Sequence, residues 1–185
     1  MNFTETGFPG LLVMEPKVFR DDRGFFLETY NKQKFQENGP EVEFIQDNHA
    51  YSGGCGVLRG LHFQLPPYAQ AKLVWVTRGA VVDVVVDLRK GSPTYLKYYR
   101  IELSAENFRR LFVPRGFAHG YETLSEETEF MYKVDAPYAP GHEGGIRWND
   151  PALSIPWKAE NPILSGKDSV LPFLSEFDTP FEFTA

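Results

Sequence analysis

Histidine is scarce in this chain, at positions 49, 62, 119 and 142 only, and two of the four sit in segments with distinctive local chemistry. The first segment is Gly56-Val57-Leu58-Arg59-Gly60-Leu61-His62-Phe63-Gln64; the second is Val113-Pro114-Arg115-Gly116-Phe117-Ala118-His119-Gly120. An imidazole titrates near neutral pH, so it can carry a proton or, when neutral, ligate a metal. Strand alternation puts Val57, Arg59, Leu61 and Phe63 on one face and Leu58, Gly60, His62 and Gln64 on the other. Gly60 leaves open space beside the His62 ring. Lys72 opens the apolar run Lys72-Leu73-Val74-Trp75-Val76, where a cation is either a strand end in water or a charge with a purpose. For His62 the plain alternative is a core histidine satisfied by backbone. Asp83, inside Val81-Val82-Asp83-Val84-Val85, would be costly to bury without a charge partner. His119, Lys72 and Arg59 are the candidates for that partner.

These residues need elements to hold them, and the coarse signal is β. Runs at 11–19, 24–30, 44–51, 57–64, 72–77, 81–88, 96–103, 111–113, 120–123 and 129–135 are bounded by Gly, Pro, Ser or Asp. The best short helix is 31–38, which begins at a capping Asn31 and stops before Gly39-Pro40. Many short strands with almost no helix indicate a β-sandwich or barrel. Beyond Tyr138 the composition shifts towards Pro, Gly and Asn, so 139–185 reads as an irregular wrap. A length of 185 residues suits a single domain over 1–185. With 16 Phe, 16 Gly and 14 Pro, aromatic-filled strands and tight turns are expected.

Composition also excludes functions. The net charge of -6 argues against a protein that coats nucleic acid. A small phosphorylated ligand needs only a few local cations and stays open. The first six residues contain no basic or apolar signal region, and the longest apolar stretch is too short to span a membrane, so a cytoplasmic protein is expected. The single cysteine, Cys55, cannot form a disulfide within the chain and suits a reducing compartment.

The spacings Gly56-x5-His62 and Pro114-x-Gly116-x2-His119 resemble the two boxes of the cupin superfamily, whose fold is a β jelly roll. A metal-binding cupin carries a second His two residues after the first, where this chain has Gln64, and the usual acidic ligand is missing from Leu65-Pro66-Pro67-Tyr68-Ala69-Gln70. Two separated histidines do not make a three- or four-ligand site, so no metal is expected.

The resemblance extends further. The run 17–28 (Lys-Val-Phe-Arg-Asp-Asp-Arg-Gly-Phe-Phe-Leu-Glu) resembles the N-terminal motif of the dTDP-4-dehydrorhamnose 3,5-epimerases. So do Gln46-Asp47-Asn48-His49, the two histidine segments, Glu129-Phe130-Met131-Tyr132-Lys133, Gly144-Gly145-Ile146-Arg147-Trp148-Asn149-Asp150-Pro151 and Ser165-Gly166-Lys167-Asp168. The resemblance implies an all-β cupin-type jelly roll that inverts C3 and C5 of a thymidine-diphosphate 4-keto-6-deoxyhexose, with no cofactor. Both carbons flank the C4 ketone, so their protons are acidified by enolate formation. Such inversion needs a base on one face, an acid on the other and a cation at the enolate oxygen.

By resemblance His62 is the base, Asp168 its orienting partner, Tyr132 the acid and Lys72 the cation. Arg23, Phe26, Glu28, Gln46, Asp47, Asn48, Arg59, His119, Tyr138, Glu143 and Lys167 are implied to contact substrate, Tyr138 by stacking on the base. The family's N-terminal strands join the neighbouring subunit's sheet. A homodimer is therefore implied, with an arm over roughly 1–30. Without the resemblance, Tyr132 reads as a core or interface aromatic and Asp168 as a loop or cap carboxylate. An epimerase of one centre only and a keto-isomerase are the enzymatic alternatives. A non-catalytic sugar-binding cupin is the alternative of another class.

Overall fold

Proline and glycine punctuation turns the apolar runs into short strands that pair antiparallel throughout. The computed structural model describes residues 1–184. One six-stranded sheet has the order β1 (Asn2–Glu5), β2 (Leu12–Glu15), β10 (Arg110–Val113), β7 (Lys72–Arg78), β12 (Glu127–Val134) and β5 (Gln46–Gly53). The five-stranded sheet runs β13 (Glu143–Gly145), β6 (Leu58–Gln64), β11 (Phe117–Thr123), β8 (Ala80–Asp87) and β9 (Tyr98–Ser104). A hairpin of β3 (Val18–Asp21) and β4 (Gly24–Leu27) pairs with neither sheet. This is the all-β, cupin-type fold that the sequence resembles.

Two strand readings change. The run 11–19 breaks into β2 and β3 at Pro16-Lys17, because proline has no N–H to donate to a ladder. β1 was not among the expected strands: its Asn-Phe-Thr-Glu sequence is largely exposed and holds its place by pairing with β2. The helix α1 (Lys32–Asn38) forms as expected, with the Asn31 side chain accepting from the Lys34 N–H.

Alternation divides the apolar residues into three layers. Val74, Val76, Val81, Val85, Leu111, Val113, Phe117, Tyr121 and Phe130 fill the space between the sheets. Met14, Leu73, Trp75 and Phe112 point out of the large sheet and are covered by Phe35 of α1. Leu61, Phe63, Val82, Val84, Val86 and Ala118 point out of the small sheet and are covered by the chain beyond 139. β8 is therefore buried on both faces, which explains its almost unbroken valine run.

The covering segment is irregular, as expected, with one-turn helices at Asp168–Val170 and Leu174–Glu176. Buried carboxylates fasten it. Glu122 on β11 accepts from the Lys158 and Ala159 N–H groups at 2.7 and 2.6 Å. Asp150 accepts from the Leu174 N–H at 2.5 Å. Phe177 and Phe181 then pack on Phe63, with ring centroids 5.0 and 5.8 Å away. That is where the apolar C-terminal tail docks.

Candidate active site

The two sheets do not close on each other along their whole length. A cavity of about 400 Å³ opens between them. The small sheet contributes Leu58, Arg59 and His62 from β6, and His119 and Tyr121 from β11. The large sheet contributes Lys72, Phe130 and Tyr132. The wrap closes one side with Leu164, Ser165, Lys167 and Asp168.

Strict alternation fails on β6, and the failure matters. His62 faces His119, but Arg59 faces Tyr121, so three residue steps on β6 span two on β11. The extra residue is a β-bulge, and it turns Arg59 into the cavity beside His62 instead of onto the opposite face. Gly60 permits it: its φ is +130°, and a Cβ there would lie 2.6 Å from the Gly120 Cα.

His62 Nε2 is hydrogen-bonded to Asp168 Oδ1, linking residues 106 apart in sequence. Asp168 is buried, which by itself would raise its pKa. The hydrogen bonds from His62 and Ser165 outweigh burial and hold the carboxyl below its usual range. The second histidine has its own acid: His119 Nε2 lies 2.8 Å from Asp83 Oδ2. Asp83 is fully buried, and its Oδ1 has no protein partner. Burial pushes its pKa up, against the opposing pull of His119 and Lys72.

Lys72 is a cavity residue rather than a strand end in water. Burial lowers its pKa to about 8, with Asp83 acting in the opposite sense. Burial raises the Tyr132 phenol, partly countered by Arg59, so Tyr132 keeps its proton at neutral pH. Arg59 is held by Ser52 Oγ at 3.2 Å and the Tyr51 carbonyl at 3.0 Å.

The cavity thus gathers His62, Asp168, Tyr132, Lys72, Arg59, His119 and Lys167 from the expected set. Gln46 and Asn48 lie beside it on β5, opposite Val134 and Tyr132, with the Gln46 amide donating to Asn48. Asp47 points the other way and pairs with Lys133 at 2.7 Å. Glu143 reaches the site through Lys167, 2.6 Å away. Besides Asp47, four expected contacts are not at the cavity of this single chain. Arg23 extends from the hairpin and pairs with Asp21 at 2.6 Å, and Glu28 pairs with Lys34 at 2.8 Å. Phe26 and Tyr138 are exposed, at 70% and 55%.

Ser165, Tyr121 and Phe130 line the cavity but were not singled out beforehand. Ser165 did carry a signal: a serine three residues before an acid has the spacing at which a hydroxyl meets a backbone N–H. Gln64, the residue in place of a cupin ligand, is occupied otherwise. Its amide donates to the Tyr68 and Pro137 carbonyls at 2.9 and 3.1 Å and accepts from the Ala139 N–H at 2.7 Å. Among the described residues, no three His, Cys, Asp or Glu side chains cluster as metal ligands. No helix among them is long and apolar enough to cross a membrane.

The fold and cavity define a cupin-type protein whose site is built from titratable side chains held at fixed positions by two facing sheets. Comparison with known proteins narrows this. The family model described as dTDP-4-dehydrorhamnose 3,5-epimerase matches residues 5–176. A dTDP-4-dehydrorhamnose 3,5-epimerase of Shigella flexneri is 53% identical over 91% of this chain and 93% of its own. The crystal structure of the Bacillus anthracis 3,5-epimerase, with TDP and PPi bound, is 51% identical with a TM-score of 0.92, covering 94% of this chain and 99% of that one. A Legionella pneumophila dTDP-6-deoxy-D-glucose-3,5-epimerase in complex with dTDP-4-keto-L-rhamnose is 40% identical with a TM-score of 0.94, over 100% and 99% of the two chains. The chain belongs to the dTDP-4-dehydrorhamnose 3,5-epimerase family.

Proposed function

We propose that the chain inverts C3 and C5 of dTDP-4-dehydro-6-deoxy-D-glucose to give dTDP-4-dehydro-L-rhamnose. One observation carries the chemistry: His62, paired with Asp168 of the wrap, and the protonated phenol of Tyr132 come from opposite sheets into one cavity that also holds a cation. His62 takes the proton from the carbon next to the C4 ketone. The electron pair moves onto the C4 oxygen, and Lys72 stabilises the enolate formed. As the enolate collapses, Tyr132 gives its proton to the same carbon from the other face. Solvent then restores the proton on Tyr132 and removes the one on His62. Asp168 holds the imidazole in one orientation and stabilises its charged form.

Arg59, His119 and Lys167 supply cationic or donor groups for the diphosphate, with Gln46, Asn48 and Glu143 as further polar contacts. Tyr138 is assigned to stacking on the thymine. The enzyme acts as a homodimer, in which the β3–β4 hairpin carries Arg23, Phe26 and Glu28 to the neighbouring subunit's cavity. Three half-exposed or exposed phenylalanines on that hairpin, Phe19, Phe25 and Phe26, support this reading. The site of action is the cytoplasm.

Incubating enzyme and substrate in deuterium oxide tests the reaction. Label at both C3 and C5 is expected. Label at one carbon alone would make the chain a mono-epimerase, and no label would remove the proton-transfer reading.

A further inference from the structure

Asp168 must present one oxygen to His62 in a fixed direction, yet it lies on a one-turn helix in an otherwise irregular segment. Among the described contacts, one side chain besides His62 meets that carboxylate. Ser165 Oγ donates to Asp168 Oδ2 at 2.8 Å, and accepts from the Asp168 backbone N–H at 3.1 Å. The same hydroxyl therefore fixes both the carboxylate and the backbone that carries it. Oδ2 is engaged by Ser165, so Oδ1 is the oxygen left for His62. Upstream, the Leu58 N–H donates to the Ile163 carbonyl, which holds the approach to Ser165 against β6.

We propose that Ser165 is a positioning residue for proton transfer: its hydroxyl sets the orientation and the basicity of Asp168, and through it the proton affinity of His62. This rests on the reading of His62 as the base. A hydrogen bond donated to a carboxylate spreads its charge and weakens it as a partner for an imidazolium. Removing the donor leaves a more basic carboxylate beside His62. The imidazolium then persists to higher pH, and the neutral base is scarcer at a given pH. The remaining groups around His62 are Arg59 on the same strand, His119 and Tyr121 on β11, Lys72 and Tyr132 on the facing sheet, and Lys167 on the wrap. Ser165→Ala touches none of them.

The test is the pH dependence of kcat/KM for Ser165→Ala, Ser165→Cys and Ser165→Thr, with His62→Ala as a control. Ser165→Ala is expected to move the acid limb up by about half to one pH unit and to lower kcat about 10-fold with KM unchanged. Ser165→Cys, which keeps a weak donor of similar size, should shift the limb in the same direction by less, and decides the matter if the alanine variant does not fold. Ser165→Thr keeps the hydroxyl and should restore the wild-type limb. An unmoved limb in a folded alanine or cysteine variant overturns the proposal. So does a threonine variant that behaves like alanine, or a loss seen in KM alone, which would mark Ser165 as a substrate contact. If His62→Ala still exchanged substrate protons at the wild-type rate, the underlying reading of the base would fail instead.

Discussion

Two His–Asp pairs stand side by side in this molecule, since His62 and His119 are register neighbours on β6 and β11. Their surroundings treat them in opposite ways. The Asp168 carboxylate has hydrogen-bond donors on both oxygens, and its pKa is held down despite burial. Asp83 has a donor on one oxygen only and no solvent, and burial drives its pKa up. The His62 side chain is 36% exposed, whereas that of His119 is 8% exposed. A pair with an exposed imidazole and a firmly ionised acid can take up a proton from a ligand and release it to water. The His119–Asp83 pair, whose carboxyl is wholly enclosed, instead places an acid within electrostatic reach of Lys72. The same two residue types thus serve motion in one place and rigidity in the other, and burial decides which.

The contrast can be broken at either pair. His62→Ala should lower the rate of substrate proton exchange by about 10²–10⁴-fold, the range of general acid–base help, with little change in Tm. His119→Ala should weaken substrate binding and, unlike His62→Ala, also cost stability. It leaves Asp83 buried without its partner, and a stability loss of about 3 kcal/mol is expected in denaturant titration at pH 7. That is the low end for a broken buried pair, because Asp83 can take up a proton in response. Equal losses of stability in the two variants would erase the distinction.

A smaller effect separates the pairs by how they are delivered. Asp83 belongs to the barrel, whereas Asp168 arrives on the wrap that Glu122 fastens. Glu122→Gln turns one acceptor into a donor facing a backbone N–H, so a loss of about 1–2 kcal/mol is expected by chemical denaturation. Activity should fall with it, while the environment of His119, followed by its ring NMR signals, stays unchanged.

The smallest effect is a shift in pH. Lys72 must be charged to stabilise an enolate, so activity should decline as pH rises through about 8. Asp83 favours the charged lysine. Asp83→Asn should therefore move this alkaline limb to lower pH in a kcat/KM profile, and an unmoved limb would disconnect the buried pair from Lys72.

Much of this was legible along the sequence because it is local. Asn31 and Gly39 bracket the helix, and valine runs closed by Gly and Pro give the strands. The charge conflict at Asp83 could be seen without coordinates, and its partner proved to be the first of the candidates weighed. What stayed hidden is long-range or depends on one inserted residue. The period-two rule put Arg59 and His62 on opposite faces, and a bulge in a strand pair cannot be counted from one strand alone. Nothing in the residues around Asp168 announces a histidine 106 positions earlier, and only the resemblance to the family paired the two. Arg23, Phe26 and Glu28 belong to a hairpin outside both sheets, so a single chain does not bring them to the cavity.

The fastening of the wrap gives the enzyme an order of assembly. A ribosome hands over His62, Lys72 and Tyr132 well before Ser165 and Asp168, and every strand of both sheets is complete by Gly145. A nascent chain can therefore form the barrel and its cavity while His62 still lacks its acid. Competence to move protons arrives late in synthesis, when the last part of the chain closes over β6 and β11.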